Sequence, residues 1–338
     1  MTKNTQTKTS NEPFFSIVIP VRKIGQYVLD HIPKLLDLSY KNFEIIIVSE
    51  AKETYTFPNT TILKVDRVNP ATKRNVGAQA ARGDIVAFID DDAYPVADWL
   101  DHAIPYFENP DICAVAGPQL APKESTFKQM VSGFVYALGA GSQKYVYTKD
   151  KFQYIVDYPT CNLLVRKKDF ESIKGFNTYY WGGEDTKLCY DLTQKLKKKM
   201  VYDPNVIVYH HRRKTYQDHL RQTYMWSLYR GYFSRKFPET SRKLVYFLPL
   251  IFYVGVLLGP LTFMLHNSFK TFYFVVLALY ALYSIFTAAK TKSFAYFIPV
   301  LFLLIATHMT YAYGVFAGIL RNKSLDKTFN PAEALEIE

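Results

Sequence analysis

The chain has 338 residues and a formal net charge of +11, and 49% of its residues are hydrophobic. This length suits one large α/β domain with a smaller module. The positive charge suits anionic partners such as diphosphates and anionic lipids, and no nucleic-acid partner is expected. The three cysteines are odd in number and widely spaced, so they indicate neither a disulfide framework nor a metal site and fit a reducing compartment.

Strand and helix patterns alternate over the first 120 residues. Apolar, β-branched segments predict buried strands at 15–20, 43–48, 61–65, 85–89 and 112–116. Helical spacing of apolar residues predicts helices at 24–38, 71–81 and 96–107. This alternation predicts a mainly parallel sheet that is covered by helices on both faces.

The pattern changes after residue 120. Residues 121–151 are rich in Gly, Ser, Lys and Tyr and lack a clear periodicity, so no element is predicted there. The remaining elements of this part are predicted as a strand at 160–165, a short helix at 169–173, a helix at 184–196 and a strand at 206–209. The aromatic, basic stretch 216–237 predicts a helix at a membrane interface, followed by a hinge at 238–243.

Three apolar runs without any Asp, Glu, Lys or Arg occupy 244–265, 271–289 and 293–320. Each is close to the roughly 20 helical residues that cross a hydrocarbon core, so three transmembrane helices are predicted. The alternative of three buried helices in a soluble protein would demand an unusually large core. A second alternative is that the first run, which contains Pro249 and Pro260, enters the membrane without crossing it.

The polar N-terminus lacks an apolar signal-peptide region, so the first domain is expected to be cytoplasmic in an integral, multi-pass membrane protein. Lysines in the loop at 290–292 would lie on the same side, because Lys and Arg bias flanking loops inward. Three crossings leave the tail's Arg321, Lys323 and Lys327 outside, against that bias. The predicted organisation is a disordered tail at 1–13, an α/β domain at 14–214, an amphipathic interfacial helix and hinge at 215–243, three transmembrane helices at 244–320 and a polar tail at 321–338.

Three carboxylates, Asp90, Asp91 and Asp92, directly follow the predicted strand at 85–89. Ligands bind at this carboxyl edge of open parallel sheets. Alternate side chains point the same way, so Asp90 and Asp92 can converge on a hard cation such as Mg²⁺ or Mn²⁺. The alternative is an acidic turn that caps the next helix.

A second acidic segment, Gly182-Gly183-Glu184-Asp185, precedes a predicted helix. Glycines at this point let a substrate approach the backbone closely, and a carboxylate there can lie beside a reacting centre. The alternative is ordinary helix chemistry, because acidic residues are favoured in a first turn.

Together these segments make residues 14–236 resemble the family 2 glycosyltransferases of the GT-A fold, a Rossmann-like α/β class. The resemblance rests on the strand Ser16-Ile-Val-Ile-Pro20, on Lys73-Arg74-Asn75-Val-Gly77, on Ala87-Phe-Ile-Asp-Asp-Asp92, and on Gly175-Phe176 followed by Gly183-Glu184-Asp185. Where the family often has an acidic pair after the second strand, this chain has Ser49-Glu50. Arg22-Lys23 replaces the usual Asn-Glu after the first strand, which leaves the base and the sugar open.

The resemblance implies roles for particular residues. Asp90 and Asp92 match the DxD motif that holds a metal and diphosphate, and Asp185 matches the catalytic base, with Glu184 supporting it. A nucleotide-sugar donor would contact Pro20, Arg22, Glu50, Arg74, Asp90 and Asp91. His210 would complete the Mg²⁺ or Mn²⁺ site, and Gly183 and Trp226 would face the acceptor.

Several of these assignments have an alternative. Arg22 and Arg74 could be surface charges, and His210 a structural residue. Trp226 resembles the end of the "QxxRW" signature of processive members, but Met225 replaces its Arg, and an interfacial aromatic needs no special role.

The expected activity is therefore inverting transfer of a sugar from a nucleotide-sugar to a hydroxyl of a lipid-linked saccharide or polysaccharide, at a membrane surface. A hydroxyl needs the base that Asp185 supplies, whereas a polyprenyl phosphate, the alternative acceptor, is already an oxyanion. The competing interpretations from different classes of protein are a nucleotidyltransferase and an inactive domain that serves as a membrane scaffold.

Overall fold

The computed structural model describes residues 12–139, 141–178, 180, 182–321 and 325, without the side chains of residues 141 and 142. The predicted tails at 1–13 and 321–338 lie almost entirely outside these residues. The strands are β1 Phe15–Val21, β2 Phe43–Ser49, β3 Thr60–Lys64, β4 Ile85–Ile89, β5 Ala93–Pro95, β6 Ile112–Ala116, β7 Gln119–Leu120, β8 Gln153–Ile155, β9 Asn162–Arg166, β10 Lys199–Tyr202 and β11 Val208–His210.

The helices complete the element order. They are α1 Gln26–Leu36, α2 Pro70–Ala80, α3 Trp99–Ala103, α4 Phe127–Gly139, α5 Lys167–Ser172, α6 Glu184–Tyr190, α7 Tyr216–Lys236, α8 Pro238–Ser241, α9 Leu248–Leu258, α10 Asn267–Ala289 and α11 Phe294–Leu320.

The main sheet has eight strands in the spatial order β3-β2-β1-β4-β9-β6-β10-β8. The pairs β2–β3, β1–β2, β1–β4 and β6–β10 are parallel, so the sheet is mostly parallel as predicted. Strand β9 runs antiparallel between β4 and β6. Because of this direction, β9 begins beside the end of β4, which is where the acidic segment starts.

Both faces of the sheet are covered. Along β1, Ile17 and Ile19 pack into one core cluster, and Val18 between them packs into the other. Helix α1 covers the first face through Val28, Ile32 and Leu35, and α2 covers the second face. The central strands are buried on both faces, which explains why they contain runs of apolar residues without alternation.

A small second sheet in the order β5-β11-β7 lies beside the acidic segment. Strand β11 pairs antiparallel with β5, and His210 is opposite Ala93. The residue after the acidic segment is therefore held against the strand that carries His210.

Four local predictions differ from the structure in whole or in part. Residues 121–151 contain helix α4, which buries polar as well as apolar side chains, among them Gln129, Ser132 and Val131. This mixture hides the helical periodicity in the sequence. The helix predicted at 96–107 is α3 followed by a 3₁₀ helix at Ile104–Glu108, and the helix predicted at 184–196 ends as a π-helical turn at Asp191–Lys195. No strand was predicted at β10.

The C-terminal region is helical and strongly apolar. Within the described residues, α10 and α11 are long and apolar enough to cross a membrane. The first predicted run forms a shorter apolar segment, Leu248–Met264, in which α9 gives way to a 3₁₀ helix at Gly259–Met264. Most of the large apolar side chains that are exposed in the structure lie between residues 244 and 320.

Helix α11 packs along α7, and the two run in the same direction. Thr307 lies against His219 near one end of the contact, and Val315 lies against Gly231 further along. A Cβ atom added to Gly318 would lie 2.0 Å from the carbonyl oxygen of Leu228. Glycine therefore allows the two helix backbones to touch, and α7 lies between the sheet domain and α11.

Candidate active site

The first part of the site is Asp90, which stands directly after β4. Its Oδ1 accepts a hydrogen bond of 2.7 Å from Nη2 of Arg74, a residue of α2. Arg74 is almost fully buried. Burial alone would lower the pKa of Arg74, but the nearby carboxylates of Asp90, Asp185 and Glu184 raise it above its ordinary value. The guanidinium therefore remains charged.

The turn between β4 and β5 carries the other two carboxylates. Asp92 Oδ1 lies 3.1 Å from Nε2 of His210, and its Oδ2 lies 4.0 Å from Nη1 of Arg213. Burial opposes ionisation of Asp92, but its contacts with His210 and Arg213 outweigh burial and lower the pKa of Asp92 to about 2. Burial, with Asp92 and Asp90 close by, raises the pKa of Asp91 to about 7. The turn thus brings carboxylates close together, and a bound cation would neutralise part of their charge.

Glu184 and Asp185 open helix α6 on the other side of Arg74. Glu184 Oε2 accepts a hydrogen bond of 2.8 Å from the backbone N–H of Gly182, and its Oε1 lies 3.6 Å from Arg74 Nη1. Arg74 thus joins the two acidic segments. Two of its donors, Nε and Nη1, are buried without a hydrogen-bond partner among the described residues. Such donors are suited to the oxygens of a phosphate or a ribose.

Asp185 accepts a hydrogen bond of 2.7 Å from Oγ1 of Thr160 at its Oδ1. Burial and the adjacent Glu184 raise the pKa of Asp185 above its ordinary value, while Arg74 and Thr160 act in the opposite direction. Thr160 is fully buried just before β9. One oxygen of Asp185 is thus held by the protein.

The glycines before α6 are required for packing. Gly182 has a φ of 101°, a conformation that side chains disfavour. A Cβ added to Gly183 would lie 2.7 Å from the ring of Phe233 on α7. The structure therefore seats Gly183 against α7, and an acceptor contact of this residue stays a prediction. Trp226, also on α7, is 36% exposed and lies 5.7 Å from the ring of Tyr136.

The predicted donor residues at the ends of β1 and β2 lie together. Glu50 Oε1 forms an ion pair of 2.5 Å with Nζ of Lys73, which also donates to the carbonyl of Val21 at 2.8 Å. Backbone N–H of Glu50 donates to the carbonyl of Arg22, whose side chain is exposed. Pro20 forms part of the same strand end.

A mixed set of ligand atoms meets beside Asp90. Carboxylate, thiol and imidazole atoms of Asp90, Cys161 and His210 all lie within 4.8 Å of one another. Burial and the Asp90 and Asp92 carboxylates raise the pKa of the Cys161 thiol well above its ordinary value. Sequence reasoning missed Thr160 and Cys161. Only the antiparallel pairing of β9, with Asn162 opposite Ile89, places them at the end of β4.

The comparisons with known proteins agree with this geometry. The model of glycosyl transferase family 2 matches residues 16–174, and the model described as the N-terminal domain of galactosyltransferase matches residues 143–211. Residues 16–174 therefore form a glycosyl transferase family 2 domain. The GT-A fold is shown by the mannosyltransferase PcManGT from Pyrobaculum calidifontis, solved with GDP-Man and Mn²⁺. It matches at a TM-score of 0.59 and 15% identity, over 86% of each chain.

Curated relatives of this chain are distant. An uncharacterized glycosyltransferase of Haemophilus influenzae is 31% identical over 27% of this chain and 41% of its own length, so the match spans less than half of that relative. The pre-mycofactocin glycosyltransferase of Mycobacterium tuberculosis is 26% identical over 44% of this chain and 31% of its own length. A dolichyl N-acetyl-alpha-D-glucosaminyl phosphate 3-beta-D-2,3-diacetamido-2,3-dideoxy-beta-D-glucuronosyltransferase of Methanococcus voltae is 22% identical over 93% of this chain and 99% of its length.

Proposed function

We propose that this glycosyltransferase moves a sugar from a nucleotide-sugar to a hydroxyl of a lipid-linked saccharide, with inversion at the anomeric carbon. The observation that carries the proposal is Arg74, which contacts Asp90 at 2.7 Å and Glu184 at 3.6 Å. Arg74 thus links Asp90, which we expect on the diphosphate side, to Glu184, which directly precedes the proposed base.

The donor set beside β4 fits a divalent ion. Adjacent ligands of an octahedral ion at about 2.1 Å are about 3 Å apart, which matches the 3.1 Å between Asp92 and His210. Asp90, Asp92 and His210 would hold Mg²⁺ or Mn²⁺. When bound, the ion supplies positive charge against the leaving diphosphate. The Mn²⁺ in the structure of the mannosyltransferase PcManGT supports this assignment.

Asp185 is the proposed general base. Thr160 holds its Oδ1, so Oδ2 is left to accept the proton of the attacking hydroxyl. Glu184, tied to the backbone of Gly182, fixes the start of α6 and with it the position of Asp185. Arg74 opposes the increase in the pKa of Asp185 that burial causes, and it offers its free donors to the phosphate or ribose oxygens of the nucleotide-sugar. Pro20, Glu50 and Asp91 would line the rest of the donor site.

A lipid-linked acceptor is supported from two directions. The Methanococcus voltae relative, which aligns with nearly all of this chain, is named for transfer to a dolichyl-linked N-acetylglucosaminyl phosphate. Helix α7 contacts Gly183 on one side and the apolar helix α11 on the other, so the base lies near the apolar region. The alternative acceptor, polyprenyl phosphate, would not need Asp185 as a base.

A replacement of the base tests the proposal. Asp185→Asn should lower the turnover number about 10²–10⁴-fold and leave donor binding intact, because a base acts in the transition state. Glu171→Gln is the matched control, since Glu171 is an exposed acid in a loose pair with Lys167. An unchanged turnover number in Asp185→Asn would contradict the role of Asp185 as the general base. Release of pyrophosphate instead of a nucleoside diphosphate would indicate a nucleotidyltransferase.

Membrane anchoring belongs to the same proposal. The helices at 244–320 would form three crossings, with the catalytic domain in the cytoplasm and membrane lipids around the exposed apolar side chains. Because α11 packs along α7, the face of the catalytic domain that contacts α7 would lie at the membrane surface. Cysteine labelling tests the orientation in a background without the native cysteines. Lys292→Cys should resist an impermeant reagent in intact cells and Ala332→Cys should react, and labelling at Lys292 would overturn this topology.

A further inference from the structure

Cys161 belongs to the wall of the proposed ion site. Its side chain is 3% exposed, and its Sγ, an Asp90 carboxylate oxygen and a His210 ring nitrogen lie within 4.8 Å of one another. The three residues come from three separate elements, since Asp90 follows β4, Cys161 precedes β9 and His210 ends β11. Main-chain pairing fixes each of them, because Ile89 pairs with Asn162 and Ala93 with His210.

The distances are close to those of a ligand set. Three atoms spread evenly around one ion, at about 2.0–2.3 Å each, lie about 3.5–4 Å apart. The three atoms lie within 4.8 Å of one another, so side-chain movements of about half an ångström each would bring all of them into contact with a single ion. The other two cysteines are placed differently. Cys113 Sγ contacts the carbonyl of Lys199, and Cys189 Sγ contacts the carbonyl of Tyr158.

We propose that Cys161 is a further ligand of the divalent ion and that it makes the site favour ions that accept sulfur. The inference rests on the proposed metal-dependent transfer. Mg²⁺ prefers oxygen ligands alone, whereas Mn²⁺ tolerates mixed ligands and Zn²⁺ or Cd²⁺ bind thiolates strongly. When the sulfur binds as a thiolate, its proton is released to the buffer.

Two consequences follow for the reaction. The site should prefer Mn²⁺ to Mg²⁺ by more than a purely oxygen and nitrogen site would. Thiophilic ions should occupy it tightly and compete with the activating ion. Replacing Cys161 by Ser supplies an oxygen in the same place, so it should shift the preference back toward Mg²⁺.

Cobalt provides a readout that does not depend on activity. A cobalt–thiolate bond gives a sulfur-to-metal charge-transfer absorption in the near ultraviolet, which oxygen and nitrogen ligands do not give. We expect this band when Co²⁺ and a nucleoside diphosphate are added to the wild-type chain. We expect it also in Cys113→Ala and Cys189→Ala, the matched controls, and we expect its loss in Cys161→Ala and Cys161→Ser. Competition by Cd²⁺ should weaken at least about tenfold in the two Cys161 variants.

The outcomes separate this inference from the proposed function. Co²⁺ bound by the wild type without the band, or a band that persists in both Cys161 variants, would overturn the role of Cys161 and leave metal binding standing. Absence of Co²⁺ binding by the wild type would instead reject the metal site as a whole. Melting curves of the variants identify any that fail to fold, and Cys161→Ser is the conservative replacement for that case.

Discussion

Replacing Thr160 by Val removes one hydrogen bond from the proposed base at nearly constant side-chain size. Thr160 is fully buried, and its Oγ1 donates to Asp185 Oδ1 at 2.7 Å. A donor to a carboxylate favours the ionised form, so Thr160 opposes the increase in pKa that burial and Glu184 impose on Asp185. Without it, the pKa of Asp185 should increase further.

The size of the change follows from the bond. A hydrogen bond to a charged group contributes about 1.5–3 kcal/mol, and one pKa unit corresponds to about 1.36 kcal/mol. Asp185 is partly exposed, so water replaces some of the loss, and we expect an increase of about 1 unit. Transfer requires ionised Asp185 and is lost as the pH falls through its pKa. Thr160→Val should therefore move the acid limb of the rate profile to higher pH by about 1 unit.

The assay is the turnover number against pH, with donor, acceptor and Mn²⁺ saturating. Thr160→Ser should restore the wild-type limb because it keeps the hydroxyl. Thr148→Val is the control, since Thr148 is a surface residue whose hydroxyl donates to the carbonyl of Lys144. A Thr160→Val enzyme that loses the same fraction of its rate at every pH would refute the reasoning, because Thr160 would then serve only the packing of β9.

Two further predictions concern the ion and the helix contact. Asp92→Asn should raise the Mn²⁺ concentration for half-maximal activity at least about tenfold. The control Asp98→Asn, which breaks an exposed Asp98–His102 pair of the same 3.1 Å length, should leave that concentration unchanged. Equal effects of the two substitutions would contradict the role of Asp92 as a metal ligand. Gly318→Ala should destabilise the protein by about 1–3 kcal/mol in detergent melts, since its Cβ would meet the Leu228 carbonyl. Gly255→Ala should be nearly neutral, because nothing lies within 4 Å of its added Cβ. Equal melting temperatures of the two variants would contradict the close contact between α7 and α11.

Local patterns in the sequence predicted the parts of the fold that depend on one element at a time. The buried strands β1, β2, β4 and β6 are apolar over their whole length, so their periodicity is sufficient to find them. The edge rule for parallel sheets then placed Asp90 and Asp92 where ligands bind. These inferences needed no knowledge of which strand lies beside which.

The rest depends on pairing between distant segments. Strand β9 follows β4 by more than seventy residues, and nothing in its own sequence predicts that it runs antiparallel next to β4. Thr160 and Cys161 reach the site only through that pairing. Arg74 was predicted near the donor, but its link to Glu184 requires the tertiary position of α6. Helix α4 escaped prediction because its polar residues Gln129 and Ser132 are buried against Arg212 and His219, which lie more than eighty residues further along the chain.

The position of α7 connects the chemistry with the apolar helices. One side of α7 receives Gly183 against Phe233, directly before the Glu184–Asp185 pair, and its other side touches α11 through Gly231. A helix with its side chains is about 10–12 Å across, so the proposed base lies about one helix diameter from the apolar surface. A hydroxyl on the first sugars of a lipid-linked saccharide could reach Asp185 while the lipid remained in the membrane. A polysaccharide that stayed in solution would not use this proximity, which is why we propose a lipid-linked saccharide as the acceptor.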